Sequence, residues 1–259
     1  MGQHHIHSRR SFFRQSFGGI LTGASVFEEA FFRASWARAQ APSANANLFT
    51  IEKVADGIYA ALAKPAALTN SNAAIFVLSR DVLVVDAHSK PSAAASLIAQ
   101  IKKEVTDKPV RYLVNSHFHW DHTQGDQAYK EANSQVQIIA SDTTKQLMTQ
   151  LQRNRLKESL DSVPELIDAA KARLGRAKTQ QERDWANDQL RQLTAYQQEM
   201  KSYPLELPTV TFAKTHVIKD ASGDLELAFN GKAHTAGDIQ VFSPSKRVVA
   251  SGDAIIGFL

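Results

Sequence analysis

The chain has no cysteine. That excludes disulfides, a thiolate nucleophile and thiolate metal ligands, so any metal ion must be held by nitrogen and oxygen. Net charge is also scarce where a polyanion would need it. Of a total of +4, the first 41 residues hold +3, from Arg9, Arg10, Arg14, Arg33 and Arg38 against Glu28 and Glu29. The remaining +1 offers no electrostatic footprint for nucleic acid or an anionic membrane. No repeat at solenoid spacing is present, and no apolar run is long and uncharged enough for a stable membrane span. What remains is 259 residues, 43% hydrophobic and 22% charged, enough to bury a sizeable core.

The leader reads as an address. Residues 8–15, SRRSFFRQ, place paired arginines before two phenylalanines, followed by the moderately apolar FGGILTGASVF and then ASWARAQAP. Small residues at Ala37-Arg38-Ala39 or Ala39-Gln40-Ala41 suit a cleavage point. The stretch resembles a twin-arginine export signal, which implies residues 1–41 as signal peptide, engagement of the twin-arginine export machinery and a periplasmic or secreted product. Glu28, Glu29 and Arg33 interrupt the apolar stretch, a departure from that pattern. His4, His5 and His7 are read as part of its polar start.

Residues 42–259 read as one domain of mixed α/β type. Segment 48–63 predicts two strands about the turn Asp56-Gly57, and 73–89 a hairpin that is apolar on successive residues and hence covered on both faces. Pro91 opens a predicted helix over 90–105, and strands are predicted at 109–115 and 135–141. From about 144 to 202 the pattern becomes helical: Leu160, Val163, Leu166, Ile167, Ala170 and Leu174 fall at spacings of three and four, as do Leu190, Leu193, Tyr196 and Met200. This predicts two or three inserted helices, with a break near Gly175. Short strands return after Pro208.

The segment NSHFHWDH, 115–122, follows the apolar strand VRYLV and puts three histidines and an aspartate into six positions. In extended chain, side chains two apart share a side, so His117 and His119 converge, with Asp121 continuing the alternation and His122 next to it. Four such groups at a strand-to-helix junction suit two adjacent metal ions. Partners distant in sequence are expected at other strand ends: His234 after LELAFNG, Asp253 after RVVAS, and Asp86 closing VLVVD. His88 reads as a loop residue near the site, and His216, in KTHVIKD, as a poor ligand.

His-x-His-x-Asp-His at 117–122, His-Thr-Ala-Gly-Asp at 234–238 and Gly252-Asp253 together resemble the metallo-β-lactamase superfamily. The resemblance implies a four-layer αββα sandwich from about Leu48 onward, with the helices of 144–202 as extra material and a dinuclear zinc site. It implies His117, His119 and His234 on one ion, Asp121 and His122 on the second, and Asp253 bridging. Asp86 is implied to brace the histidine loop from behind. The family carries one more histidine on a later strand; the chain ends at Leu259 without it, so the second half of the sandwich is expected to be truncated.

Zinc brings the pKa of bound water to about 7 and polarises a carbonyl. The expected activity is a zinc-dependent hydrolase acting through a metal-bound hydroxide, with Asp121 orienting it and accepting its proton. The carbonyl would belong to an amide, lactone, thioester or ester of a small molecule, as in β-lactamase-like or glyoxalase II-like enzymes. Iron or manganese are alternative metals. The other reading is a truncated, non-catalytic remnant or interaction module that binds one metal ion or none.

Overall fold

The computed structural model describes residues 48–64 and 71–255. The expected twin-arginine signal and cleavage point, in residues 1–41, lie outside them. Strands β1 (Phe49–Ala55), β2 (Ile58–Ala63), β3 (Ala73–Val77) and β4 (Val82–Val85) run antiparallel in sequence order. Helix α1 (Pro91–Glu104) then crosses to β5 (Val110–Val114), parallel to β4. Short helices α2 (Trp120–Thr123) and α3 (Asp126–Ala132) lead to β6 (Gln137–Ser141). The first sheet closes with β7 (Val210–Phe212), giving seven strands in chain order. A second, antiparallel sheet has the order β11-β10-β9-β8, from β8 (Thr215–Ile218), β9 (Leu225–Ala228), β10 (Gln240–Ser243) and β11 (Val248–Ala250).

The layers follow from strand alternation. In β4 all four residues are buried, as their apolar run predicts. Val82 and Val84 face a core completed by Leu97 and Ile101 of α1 and Tyr129 of α3. Leu83 and Val85 face the opposite way, into a core shared with Leu227 and Val241 of the second sheet. Helices, sheet and sheet therefore stack in that order, with the first sheet dry on both faces at β4. The outer face of the four-stranded sheet carries Val217, Phe242 and Val249, all exposed.

The helical insertion begins at Asp142, two residues earlier than expected. Ser141 caps α4 (Asp142–Leu147), its Oγ accepting from the Thr144 amide at 3.0 Å. A π-helical turn, Met148–Gln152, passes into α5 (Arg153–Arg176), and α6 (Gln180–Met200) returns antiparallel against it. The stripes read from the sequence meet in a third core of Val163, Ala170, Leu193, Tyr196 and Met200. Gly175 sits inside the last turn of α5 and does not break it. The break comes at Ala177–Thr179, where Thr179 and Glu182 form a capping box that starts α6. Among the described residues no helix is long and apolar enough to cross a membrane.

Candidate metal centre

Parallel pairing of β4 with β5 sets Val85 beside Val114, so the two strands end together and the residues that follow them meet. Asp86 is the hinge of that meeting. Its Oδ1 accepts from the Ser116 amide at 2.8 Å, its Oδ2 accepts from Ser116 Oγ at 2.9 Å, and Oδ2 lies 2.8 Å from His122 Nδ1. The second sheet joins through Ile239, whose amide donates to the Ser116 carbonyl at 2.9 Å. The histidine loop is thus gripped by both sheets before any ligand is considered.

The expected alternation holds only as far as His119. That residue is extended, but it is the N-cap of α2, and Trp120–Thr123 is helical. Asp121 therefore reaches the site from a helical turn, not from a continued strand. The turn brings Asp121 Oδ2 to 3.7 Å from His122 Nε2. Gly125 lets this turn lie on the loop after β4; a Cβ there would stand 1.8 Å from the Ala87 carbonyl oxygen.

Two groups of side chains are placed to hold a cation. His117, His119 and His234 bring one ligand atom each within 4.8 Å of the others, and so do His117, His122 and Asp253. His234 Nε2 is 3.0 Å from His119 Nδ1, and the His117 ring packs edge-on against both. Asp253 lies between the groups, with Oδ1 3.6 Å from His122 Nε2 and Oδ2 3.7 Å from His234 Nε2. His117 Nδ1 is 3.0 Å from Ser116 Oγ, which leaves Nε2 as its free nitrogen; that atom is buried and has no hydrogen-bond partner. A buried, unpaired imidazole nitrogen among two other imidazoles is costly for a protein alone and well suited to a cation.

The charges of the two groups differ. Burial, then the neighbouring rings of His122, His119 and His234, drive the His117 pKa far down, and burial with His234 and His122 lowers His119 to about 3. These rings are neutral at neutral pH, the form that binds metal. Burial also opposes charge on His122, but Asp86, Asp121 and Asp253 outweigh it and carry the pKa up to about 10. Burial raises Asp121, with His122 opposing and Asp253 adding to the rise.

Asp253 is presented by the 3-10 turn Gly252–Ala254 that follows β11. Gly252 has φ +52°, and a Cβ there would sit 2.5 Å from Ser116 Cβ. Glycine is what allows this turn to close on the Ser116–Asp86 pair. His234 is oriented by its own loop: buried Asp238 accepts from the Thr235 amide at 2.6 Å and from Thr235 Oγ1 at 3.0 Å.

His117, His119, His122, His234 and Asp253 make up the two groups; Asp121 lies outside both, 3.7 Å from His122 Nε2, and Asp86 stands behind His122. His216 stays apart on β8, stacked on Phe212. Trp120 packs on the hairpin core beside Tyr196. Reading the sequence did not single out Ser116, Asn115, Ser71 or Asp238. Ser116 and Asn115 lie within the quoted motif and Asp238 ends His-Thr-Ala-Gly-Asp, so a search for hydrogen-bonding residues beside each ligand would have reached three of the four.

Residues 67–257 match the family model described as the metallo-beta-lactamase superfamily. By sequence, no curated protein matches significantly. Among solved structures, a metallo-beta-lactamase from Pontibacter korlensis superposes with a TM-score of 0.52 at 16% identity, covering 78% of this chain and 70% of that one. Metallo-beta-lactamase IND-7 superposes with a TM-score of 0.49 at 15% identity, covering 79% and 71%. At 16% identity the Pontibacter korlensis superposition speaks for the fold alone, which agrees with the mixed α/β sandwich above. With the family model matching most of its length, the chain belongs to the metallo-β-lactamase superfamily.

Proposed function

We propose that the protein is a zinc-dependent hydrolase acting on an amide, lactone, thioester or ester carbonyl of a small molecule, exported by the twin-arginine route. The observation that carries this reading is His117 Nε2, buried without a partner inside a group of three histidines. His117, His119 and His234 would hold one ion. Asp121 and His122 would hold the second, and Asp253, with one oxygen toward each group, would bridge. Zinc so held supplies Lewis-acid polarisation of the carbonyl and a water whose pKa is near 7.

The chain's own residues do the rest. Asp121, beside His122 at the edge of the site, would orient the attacking water and accept its proton. Asp86 holds His122 through Nδ1, fixing which nitrogen faces the site. His234 is the most exposed of the three histidines, so a substrate would approach from its side.

The test is metal content of the purified protein by mass spectrometry, followed by screening lactams, lactones and thioesters with and without chelator. Two zinc ions per chain and chelator-sensitive hydrolysis are expected. One ion or none, with no hydrolysis, would instead support a metal-poor binding module. Fractionation of cells expressing the full chain, against an Arg9→Lys/Arg10→Lys variant, tests export.

A further inference from the structure

The four-residue helix α2 carries Asp121 and His122, and a helix that short leaves its carbonyls, apart from that of Trp120, without internal partners. They are caught from outside. The His122 carbonyl accepts from the Ala87 amide at 2.9 Å and from Asn115 Nδ2 at 3.2 Å. The Asp121 carbonyl accepts from Ser71 Oγ at 2.6 Å. Ser71 is in turn held by His88, whose Nδ1 is 3.1 Å from the Ser71 carbonyl and 3.2 Å from its Oγ. His88 is wholly buried, its ring packed 4.5 Å from that of Phe49, and it belongs to neither cation-holding group.

We propose that His88 and Ser71 form a positioning clamp that sets Asp121, and with it the second ion's ligands, by holding the Asp121 carbonyl. This rests on the two-ion reading above. The proton positions follow from hydrogen-bond direction. A carbonyl only accepts, so Ser71 Oγ spends its one hydrogen on Asp121. Its remaining lone pairs, and the Ser71 carbonyl, can then only accept from His88 Nδ1. The ring proton therefore sits on Nδ1, and Nε2 carries the lone pair. Nε2 is buried without a partner, which disfavours a second proton there, in line with a pKa lowered to about 4 by burial. A neutral imidazole of fixed tautomer is thus anchored to the main chain of Asp121.

The position also selects the residue. His88 has φ +67°, in the left-handed region. Glycine and asparagine tolerate that backbone, and only asparagine offers an N–H where Nδ1–H stands. His88→Gly removes the ring without strain, His88→Asn restores the donor, and Ser71→Ala removes the link itself.

Metal-stripped full-length protein is titrated with Zn²⁺ by calorimetry and with Co²⁺ by visible absorption. In the wild type, two binding events are expected. In Ser71→Ala and His88→Gly, the second should weaken by about 10- to 100-fold with the first unchanged, as for the loss of groups that orient metal ligands. His88→Asn should stay close to wild type. Equal weakening of both events, or an unchanged second event, overturns the clamp. A wild type that takes a single ion overturns the two-ion reading, and the clamp's role with it. Imidazole ¹⁵N spectra of the metal-free wild type supply a metal-independent check: a proton on Nδ1 is expected, and one on Nε2 would refute the hydrogen-bond chain.

Discussion

The sheet-built body and the inserted hairpin are stabilised in different ways. In the body, β4 and β5 are buried from both sides, and the residues at their ends are fixed by main-chain and carboxylate hydrogen bonds. The hairpin of α5 and α6 has a thin core of five buried apolar residues and a surface crossed by exposed pairs such as Lys171–Asp168. Such pairs contribute little individually. The insertion meets the site loop through side chains: from the π-helical turn Gln152 Nε2 donates to the Phe118 carbonyl at 2.9 Å, and from α6 Tyr196 OH donates to Gln124 Oε1 at 3.2 Å. The contrast teaches that the placement of the candidate ligands belongs to the sheets and their loops, while the insertion buttresses one side of it.

The sharpest way to expose that contrast is Asp86→Ala. It leaves His122 buried opposite no carboxylate at Nδ1 and strips two hydrogen bonds from Ser116. Breaking a buried charge pair of this kind costs about 3–5 kcal/mol. Denaturant unfolding of the metal-free protein measures it, with Asp168→Ala on the hairpin as the comparison expected to leave the midpoint unchanged.

Acid should act on the body next. Because the folded pKa of His88 is about 4, against an ordinary value of 6.5, the unfolded state binds the proton first as pH falls. Stability is therefore lost between pH 6.5 and 4, by about 3 kcal/mol for this group at 1.36 kcal/mol per pKa unit. Unfolding free energies across that range, wild type against His88→Asn, isolate the contribution: the variant's curve should be flatter. Gly252→Ala comes third. Its Cβ would press on Ser116 at 2.5 Å from a left-handed backbone, costing about 1–3 kcal/mol and displacing Asp253. Unfolding together with a Zn²⁺ titration reads both effects.

Legibility divides along the same line. The apolar runs of β4 and β5 announce buried strands, and candidate site residues just beyond strand ends follow from a sheet's periodicity; hence His117, Asp253 and Asp86 can be picked out together, while His234 stands six residues past the end of β9, on a loop of its own. The sequence places Asp121 in an extended stretch because i, i+2 spacing is all that it offers locally. The helical turn that holds it instead is stabilised from Ser71, 50 residues away, and no local signal encodes that partner. His88 reads only as a loop residue near the site for the same reason: its partner, Ser71, is 17 residues distant. In the hairpin the stripes were plain, but the break was assigned to Gly175. The sequence Thr179-Gln180-Gln181-Glu182 carried the better signal, since a capping box starts a helix more firmly than one glycine ends one.

That cap supplies the smallest and most discriminating test. Thr179 Oγ1 accepts from the Glu182 amide at 3.2 Å, and the Glu182 carboxylate accepts from the Thr179 amide at 3.0 Å. Thr179→Ala should cost about 1 kcal/mol, the usual worth of an N-cap. The loss falls at the hairpin tip, the end of α6 opposite Tyr196 and Met200, which pack near the site loop. Hydrogen exchange should quicken in the first turns of α6 while amides of β4 and β5 keep their protection, because the hairpin can fray without opening the sheets. Zn²⁺ affinity should be unaltered. If Thr179→Ala instead weakened metal binding, the hairpin would be part of what sets the ligands, and the division between a site-forming body and a buttressing insertion would have to be abandoned.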